Sequence, residues 1–347
     1  MTTLGVFFGG RSSEHRVSID TANALIPILA TLDDEVVWIY VCQDGRLLVC
    51  NSATADTYLD SDTPVDRLTT LPEYHLALSH GVMRLAPTSP EGAQLTIDVV
   101  LPVFHGSVGE DGSIQGLCQF FDIPCAGPTV LGAALSLDKA ASKAIVRGHA
   151  IAVPDYRLID IDTIDPDQLQ LPFDGPYVVK PRTQGSSIGV GFVRDRSELP
   201  TAIAQARPFG IECLIERYIP AIEVHCYVLK TSTTMMTSRI AGKVPNSEIY
   251  SHETKLQAAS SLRRLIDTDF SPATIDRIQH QARTVFNLLD GRGLARVDFF
   301  LRNNGELLFN ELNSIPGLRR TPASGSYNSW ANHGIEFRDV VAELIRP

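Results

Sequence analysis

Apolar positions along the chain fall into two patterns. Leu4 to Phe8, Glu35 to Val41 and Ile97 to Phe104 are short apolar runs of the length and density expected for buried strands. Between the first two, Val17, Ile19, Ala22, Leu25 and Ile28 recur at helical spacing, and Gly9-Gly10 with Ser12-Ser13 supplies the turn that precedes them. With a short strand at Ile123-Pro124-Cys125, this part reads as an N-terminal open α/β sheet.

The spacing then predicts a helix over Val130 to Arg147. Pro154, after Ile151-Ala152-Val153, ends that helical stretch and opens a new unit. Tyr177 to Lys180, the glycine-serine stretch Gly185 to Val190, Gly191 to Val193 and Cys213 to Glu216 read as strand, loop, strand and strand of a small α+β lobe. Past Pro220 come the run Val224 to Leu229, a predicted helix over Pro272 to Leu289, and predicted strands over Ala295 to Arg302 and Glu306 to Asn310. Asn303-Asn304-Gly305 joins the last two, and Asn-Gly favours the positive φ of a tight hairpin turn. Three units follow, 1–128, 129–220 and 221–347, with no internal repeat or low-complexity tract.

A length of 347 residues suits two or three lobes, and 44% hydrophobic against 20% charged residues excludes a disordered chain. The net charge of -10 opposes binding to nucleic acid, since basic residues gather only in the pairs Arg263-Arg264 and Arg319-Arg320. No basic segment followed by a long apolar run opens the chain, and no 18-residue apolar stretch follows, so we expect a cytoplasmic protein without a membrane partner. Six dispersed cysteines show neither zinc spacing nor a disulfide framework and are expected as small buried apolar residues. A homodimer is the prior for such a chain.

Candidate chemistry begins on the predicted hairpin. Strand alternation places Arg296 with Asp298 on one face, and Glu311 with Asn313 on one face. If those faces coincide, three hard oxygen ligands and a guanidinium converge, a set that suits magnesium, which keeps waters and substrate phosphates in its own shell. A solvated polar face on an edge hairpin would show the same alternation. Next, Lys180 ends a strand and Gly185-Ser186-Ser187-Ile188-Gly189 follows, where glycines and hydroxyls could approach phosphate oxygens, although a plain hairpin loop has the same composition. Lys139, placed near the middle of the helix over 130–147, and Lys255 are further cations.

Four stretches in order, Gly9-Gly10 through Ser18, His105 through Gly116, Lys180 through Gly189 and Arg296 through Gly317, resemble the D-alanine–D-alanine ligases of the ATP-grasp superfamily nearly end to end. The resemblance implies a three-lobed ATP-grasp fold, α/β and α+β, with ATP clasped between the last two lobes, and amino acids as small-molecule substrates. It implies ATP and magnesium as cofactors, two ions, which manganese could replace. Lys139 and Lys180 would touch the phosphates, Ser186 and Ser187 would close over them, and Lys255 would reach the terminal phosphate. Glu216, Arg217 and Ile219 would read adenine with Tyr218 beside the base, and Glu223 would bind the ribose. Asp298, Glu311 and Asn313 would hold the metal. Arg296 and the backbone N–H of Gly317 would stabilise an oxyanion, Glu14 would bind the donor ammonium, and His105 would lie near the donor carboxylate.

The chain departs from the family on the acceptor side. Leu256 stands where a tyrosine usually follows the phosphate-reaching lysine, and Pro322 stands where a serine is expected, behind Arg319 and Arg320. A proline donates no hydrogen bond, whereas each guanidinium carries several donors. The expectation is therefore a dipeptide-forming ligase whose acceptor differs from D-alanine, with Arg319 or Arg320 reading the acceptor carboxylate. Thr321 or Ser324 could instead take over and leave the ordinary peptidoglycan-precursor reaction intact. A non-catalytic ATP-binding regulator would lack a metal ligand or phosphate lysine, and none is missing.

Overall fold

A computed structural model describes residues 2–59, 64–166, 168–244, 263–318, 329–330 and 334–346. Lys255, Leu256, Arg319, Arg320, Thr321, Pro322 and Ser324 lie outside the described residues.

The first of three sheets holds β1 (Thr3–Gly9), β2 (Glu35–Val41), β3 (Leu47–Asn51), β4 (Glu73–Ser79), β5 (Val82–Pro87), β6 (Leu95–Ile97) and β7 (Val99–Pro102), in the order β6-β5-β4-β3-β2-β1-β7. β1 pairs in parallel with both β2 and β7, and the strands from β3 to β6 extend the sheet antiparallel. Helix α1 (His15–Leu29) lays Ile19, Ala22, Leu25 and Ile28 into the same core as Val6 and Phe8, as its spacing requires. Helices α2 (Ser52–Leu59), α3 (Pro64–Leu68) and α4 (Ser113–Phe120) complete this part.

Two expectations here need correction. The apolar run 97–104 is not one strand: Ile97 ends β6, and Asp98 turns its carboxylate onto the Thr3 N–H at 2.8 Å before β7 begins. The stretch 123–125 makes only a single parallel bridge, Cys125 to Val100.

The helix expected over 130–147 is two helices, α5 (Val130–Leu137) and α6 (Lys139–Gly148). Asp138 lies between them in an extended conformation, and its carboxylate accepts from the N–H groups of Ala140 and Ala141. An N-cap carboxylate satisfies donors that would otherwise lack partners, so the break is stabilised rather than strained. Lys139 is therefore the first residue of a helix, not its middle.

The second sheet, β10-β9-β11-β8, joins β8 (Tyr156–Asp160), β9 (Tyr177–Pro181), β10 (Gly191–Val193) and β11 (Glu212–Arg217), all antiparallel, with α7 (Leu199–Ala206) packed into its core. The third, β15-β14-β12-β16-β17, contains β12 (Ile222–Lys230), β13 (Met235–Thr237), β14 (Ala241–Val244), β15 (Arg263–Ile266), β16 (Gly293–Leu301) and β17 (Leu307–Asn313), with β13 on β12. Helix α8 (Pro272–Leu288) buries Ile278, Ala282, Val285 and Phe286 against it, and Val146 of α6 enters the same core. Helix α9 (Phe337–Ile345) instead joins the core around α1. Five of the six cysteines are buried and all six are unpaired, as expected.

Candidate active site

The floor of the site is the β16–β17 hairpin. Arg296 pairs directly with Asn313, and Asp298 with Glu311, so the two polar faces coincide. β12 brings Tyr227 opposite Arg296 and His225 opposite Asp298. On this face Arg296 grips Asp298 with two hydrogen bonds, Nε to Oδ1 at 2.7 Å and Nη2 to Oδ2 at 2.6 Å, and Asn313 Nδ2 donates to the same Oδ2 at 3.4 Å. Burial raises the Asp298 pKa and Arg296 opposes that shift. Burial would lower Arg296, but Asp298 holds it well above its ordinary value. His225 is driven well below its ordinary pKa by burial and then by Arg296 and Lys243, so its imidazole is neutral at physiological pH.

The second carboxylate of the hairpin also meets a cation: Lys139 Nζ stands 3.3 Å from Glu311 Oε2. The break at Asp138 aims this lysine. Arg182 clamps Asp138 through Nε at 2.9 Å to each oxygen and also binds Glu212 at 2.6 Å. Lys139 Nζ further donates to the Gln184 carbonyl at 2.6 Å, which ties α6 to the glycine-serine loop. Two carboxylates and a side-chain amide on one face, each carboxylate already neutralised by a protein cation, form a hard-oxygen set suited to a magnesium ion. Among the described residues no group of three His, Cys, Asp or Glu is placed to hold a metal, so this set offers two carboxylates and the Asn313 amide.

The glycine-serine loop closes the site from the opposite side. Ser186 and Ser187 adopt left-handed backbone, φ 51° and 59°. Ser186 Oγ donates to Glu14 Oε1, and Ser13 Oγ meets Gln184 Oε1 at 3.2 Å. Gly185 is required by this approach, because a Cβ there would sit 2.7 Å from Glu14 Oε2. Glu14 is buried at the start of α1, and burial raises its pKa, with the Ser186 hydrogen bond opposing. Its Oε2 is buried and accepts no side-chain hydrogen bond among the described residues, an orientation that invites a cationic donor. His105 is buried beside α1, where its Nε2 meets Thr21 Oγ1 at 2.9 Å.

The residues expected at the nucleotide lie on β9 and β11 of the second sheet and on the segment that leads into β12 and the start of that strand. Lys180 Nζ lies 2.7 Å from Glu216 Oε2. Arg217 turns to Asp155 at 3.3 Å and over the Phe173 ring, and Tyr218 packs edge-on against Phe192 at 5.0 Å. Ile219 is half-buried just past β11, and Glu223 lies on β12 opposite Lys243 of β14. Gly317 follows in the loop after β17. Lys255, Arg319 and Arg320 are outside the described residues.

Two residues escaped the sequence reading. Lys143 is buried with its ammonium 3.2 Å from Glu216 Oε1. Its position one turn after Lys139 was the available signal, since residues four apart share a helix face. Glu110, buried, accepts from the Gly106 N–H at 2.7 Å and from the Ile315 backbone, bridging the 106–112 loop to the segment after β17. Burial and the nearby Glu14 push its pKa up to about 8.

This ordering of sheets and this face of carboxylates and cations define an ATP-grasp enzyme, an ATP-dependent carboxylate–amine ligase. The chain belongs to the D-Ala–D-Ala ligase family: the model of the D-ala D-ala ligase N-terminus matches residues 3–128 and that of the C-terminus residues 146–346. A D-alanine–D-alanine ligase of Sodalis glossinidius is 32% identical over 99% of this chain and 93% of that protein. A putative D-alanine–D-lactate ligase of Streptomyces coelicolor is 33% identical over 97% of this chain and 95% of its own. The solved D-alanine–D-alanine ligase of Coxiella burnetii shares the fold with a TM-score of 0.83 at 23% identity, covering 99% of this chain and 92% of that one. No helix among the described residues is long and apolar enough to cross a membrane.

Proposed function

We propose that the enzyme joins two amino acids through an acyl phosphate, with D-alanine as donor and an acceptor other than D-alanine. A donor carboxylate oxygen attacks the γ-phosphorus of ATP and ADP leaves. The acceptor amine then attacks the acyl carbon, inorganic phosphate leaves, and the amine gives up a proton. One observation carries the reading: a single loop touches Glu14 through the Ser186 hydroxyl and Lys139 through the Gln184 carbonyl, and Lys139 in turn meets Glu311. That loop therefore joins a buried carboxylate to a lysine–carboxylate pair, which supports a donor-ammonium role for the first and a phosphate role for the second.

In this reading Glu14 binds the donor ammonium, Lys139 and Lys180 meet the phosphates, and Arg296 with the Gly317 N–H receives the tetrahedral oxyanion. Asp298, Glu311 and Asn313 would hold magnesium, which supplies neutralisation of phosphate charge. Ser186 and Ser187 exclude water by keeping their loop against Glu14. Six unpaired cysteines fit a reducing cytoplasm, and assembly as a homodimer belongs to the same proposal.

The altered acceptor rests on Leu256, Pro322, Arg319 and Arg320. The curated relatives support variation there, since their names include both D-alanine and D-lactate acceptors. Ordinary D-alanyl-D-alanine synthesis is the second reading, favoured by the name most of those relatives carry. An ADP-release screen with L- and D-amino acids and D-lactate, singly and in pairs, separates them. Efficient turnover of D-alanine alone, unchanged in Arg319→Ala and Arg320→Ala, would sink the altered-acceptor reading.

A further inference from the structure

Lys143 has no accessible side-chain surface, and a lysine is rarely found so deep unless its charge is matched. It projects from α6 between two sheets. Its Nζ lies 3.2 Å from Glu216 Oε1 on β11, donates to the Asn310 carbonyl on β17 at 2.9 Å, and sits 5.9 Å from the centre of the Phe309 ring. Lys180 holds the other oxygen of the same carboxylate at 2.7 Å and reaches Asn310 Oδ1 at 3.5 Å. Glu216 is therefore shared, one oxygen to each lysine, in a Lys143–Glu216–Lys180 bridge.

The two halves of the bridge differ. Oε2 makes the shorter contact, 2.7 Å to Lys180. Oε1 is buried and meets the Lys143 ammonium at 3.2 Å, too poorly aligned to saturate its acceptor capacity. Burial would raise the Glu216 pKa, but Lys143 and then Lys180 hold it below its ordinary value, so the group is a full carboxylate. A buried carboxylate oxygen with open acceptor capacity selects an N–H donor and rejects a carbonyl.

We propose that Lys143 is a positioning residue for purine selection: by holding Glu216 Oε1 it keeps that oxygen oriented for the 6-amino group of the nucleotide and prevents the carboxylate from collapsing onto Lys180. The inference rests on the nucleotide-using reading above, with Glu216 at the base. Without Lys143, both oxygens turn to the remaining cation, and the preference for an amino over a keto group at position 6 declines.

The test is calorimetric titration of the full chain with ADP and with IDP, which carries a carbonyl in place of the amino group. Wild type should prefer ADP. Lys143→Met, similar in volume and uncharged, should bind ADP about tenfold more weakly and IDP almost as before, the loss of one charge-assisted hydrogen bond. A purely structural lysine would lower the melting temperature and leave the ADP/IDP ratio unchanged, which overturns the proposal. If Lys143→Met does not fold, Glu216→Gln and the double variant Lys143→Met/Glu216→Gln decide it. Lys143 acts through Glu216, so those two should show equal ADP/IDP ratios, and unequal ratios overturn it. Failure of wild type to bind ADP at all would instead refute the placement of the nucleotide.

Discussion

Asp298 and Glu311 stand directly opposite each other across β16 and β17, and each faces a cation, Arg296 and Lys139 respectively. Two carboxylates so close would repel without those partners.

Removing either charge should disable catalysis more than folding. Asp298→Asn and Glu311→Gln preserve size, and we expect each to lower turnover by more than ~100-fold, the scale of losing a preorganised charge-stabilising group. ADP release at saturating magnesium measures this, with circular dichroism confirming the fold. Wild-type rates in either variant would refute the metal assignment.

Glu14 presents Oε1 to the Ser186 hydroxyl, and on the proposed reading its buried Oε2 binds the donor ammonium. Glu14→Gln should raise the donor KM about tenfold or more, as a hydrogen bond to a charged group is worth roughly 1.5–3 kcal/mol. The KM for ATP should barely move. Initial-rate kinetics with each substrate varied in turn distinguishes the two.

Gly185 approaches Glu14 closely enough that any side chain must displace the carboxylate. Gly185→Ala should therefore reproduce the donor defect of Glu14→Gln while leaving thermal stability near wild type, because the loop is at the surface of the site rather than in a core. A variant with unchanged donor KM would show that the loop yields instead of Glu14.

Glu110 makes stability depend on pH in a predictable direction. Its folded pKa of about 8 exceeds the ordinary 4.5, because burial and then Glu14 disfavour its charge. Between those values the unfolded chain releases a proton that the folded one keeps, so rising pH favours unfolding across that window and no further above it. In thermal melts from pH 5 to 8, wild type should lose stability relative to Glu110→Gln. Parallel pH profiles would show that Glu110 is ionised in the folded protein.

The sequence by itself determined much of the local structure. The apolar run of β1, the 3.6-residue spacing of α1 and the Asn-Gly turn before β17 each encode an element in neighbouring residues. The polar alternation of Arg296, Asp298, Glu311 and Asn313 was also legible, because a strand's side-chain period is fixed by its backbone. Periodicity failed where a side chain stabilised an interruption: Asp98 divides β6 from β7 by capping Thr3, and Asp138 divides α5 from α6 with help from Arg182, 44 residues away. Only the tertiary structure could show Lys143 and Lys180 sharing Glu216, or Glu110 bridging Gly106 and the Ile315 backbone. A lysine or glutamate reads as surface in sequence, and its burial is tolerated only because distant elements bring the compensating charge or hydrogen bonds, information carried by the packing of sheets and not by any local pattern.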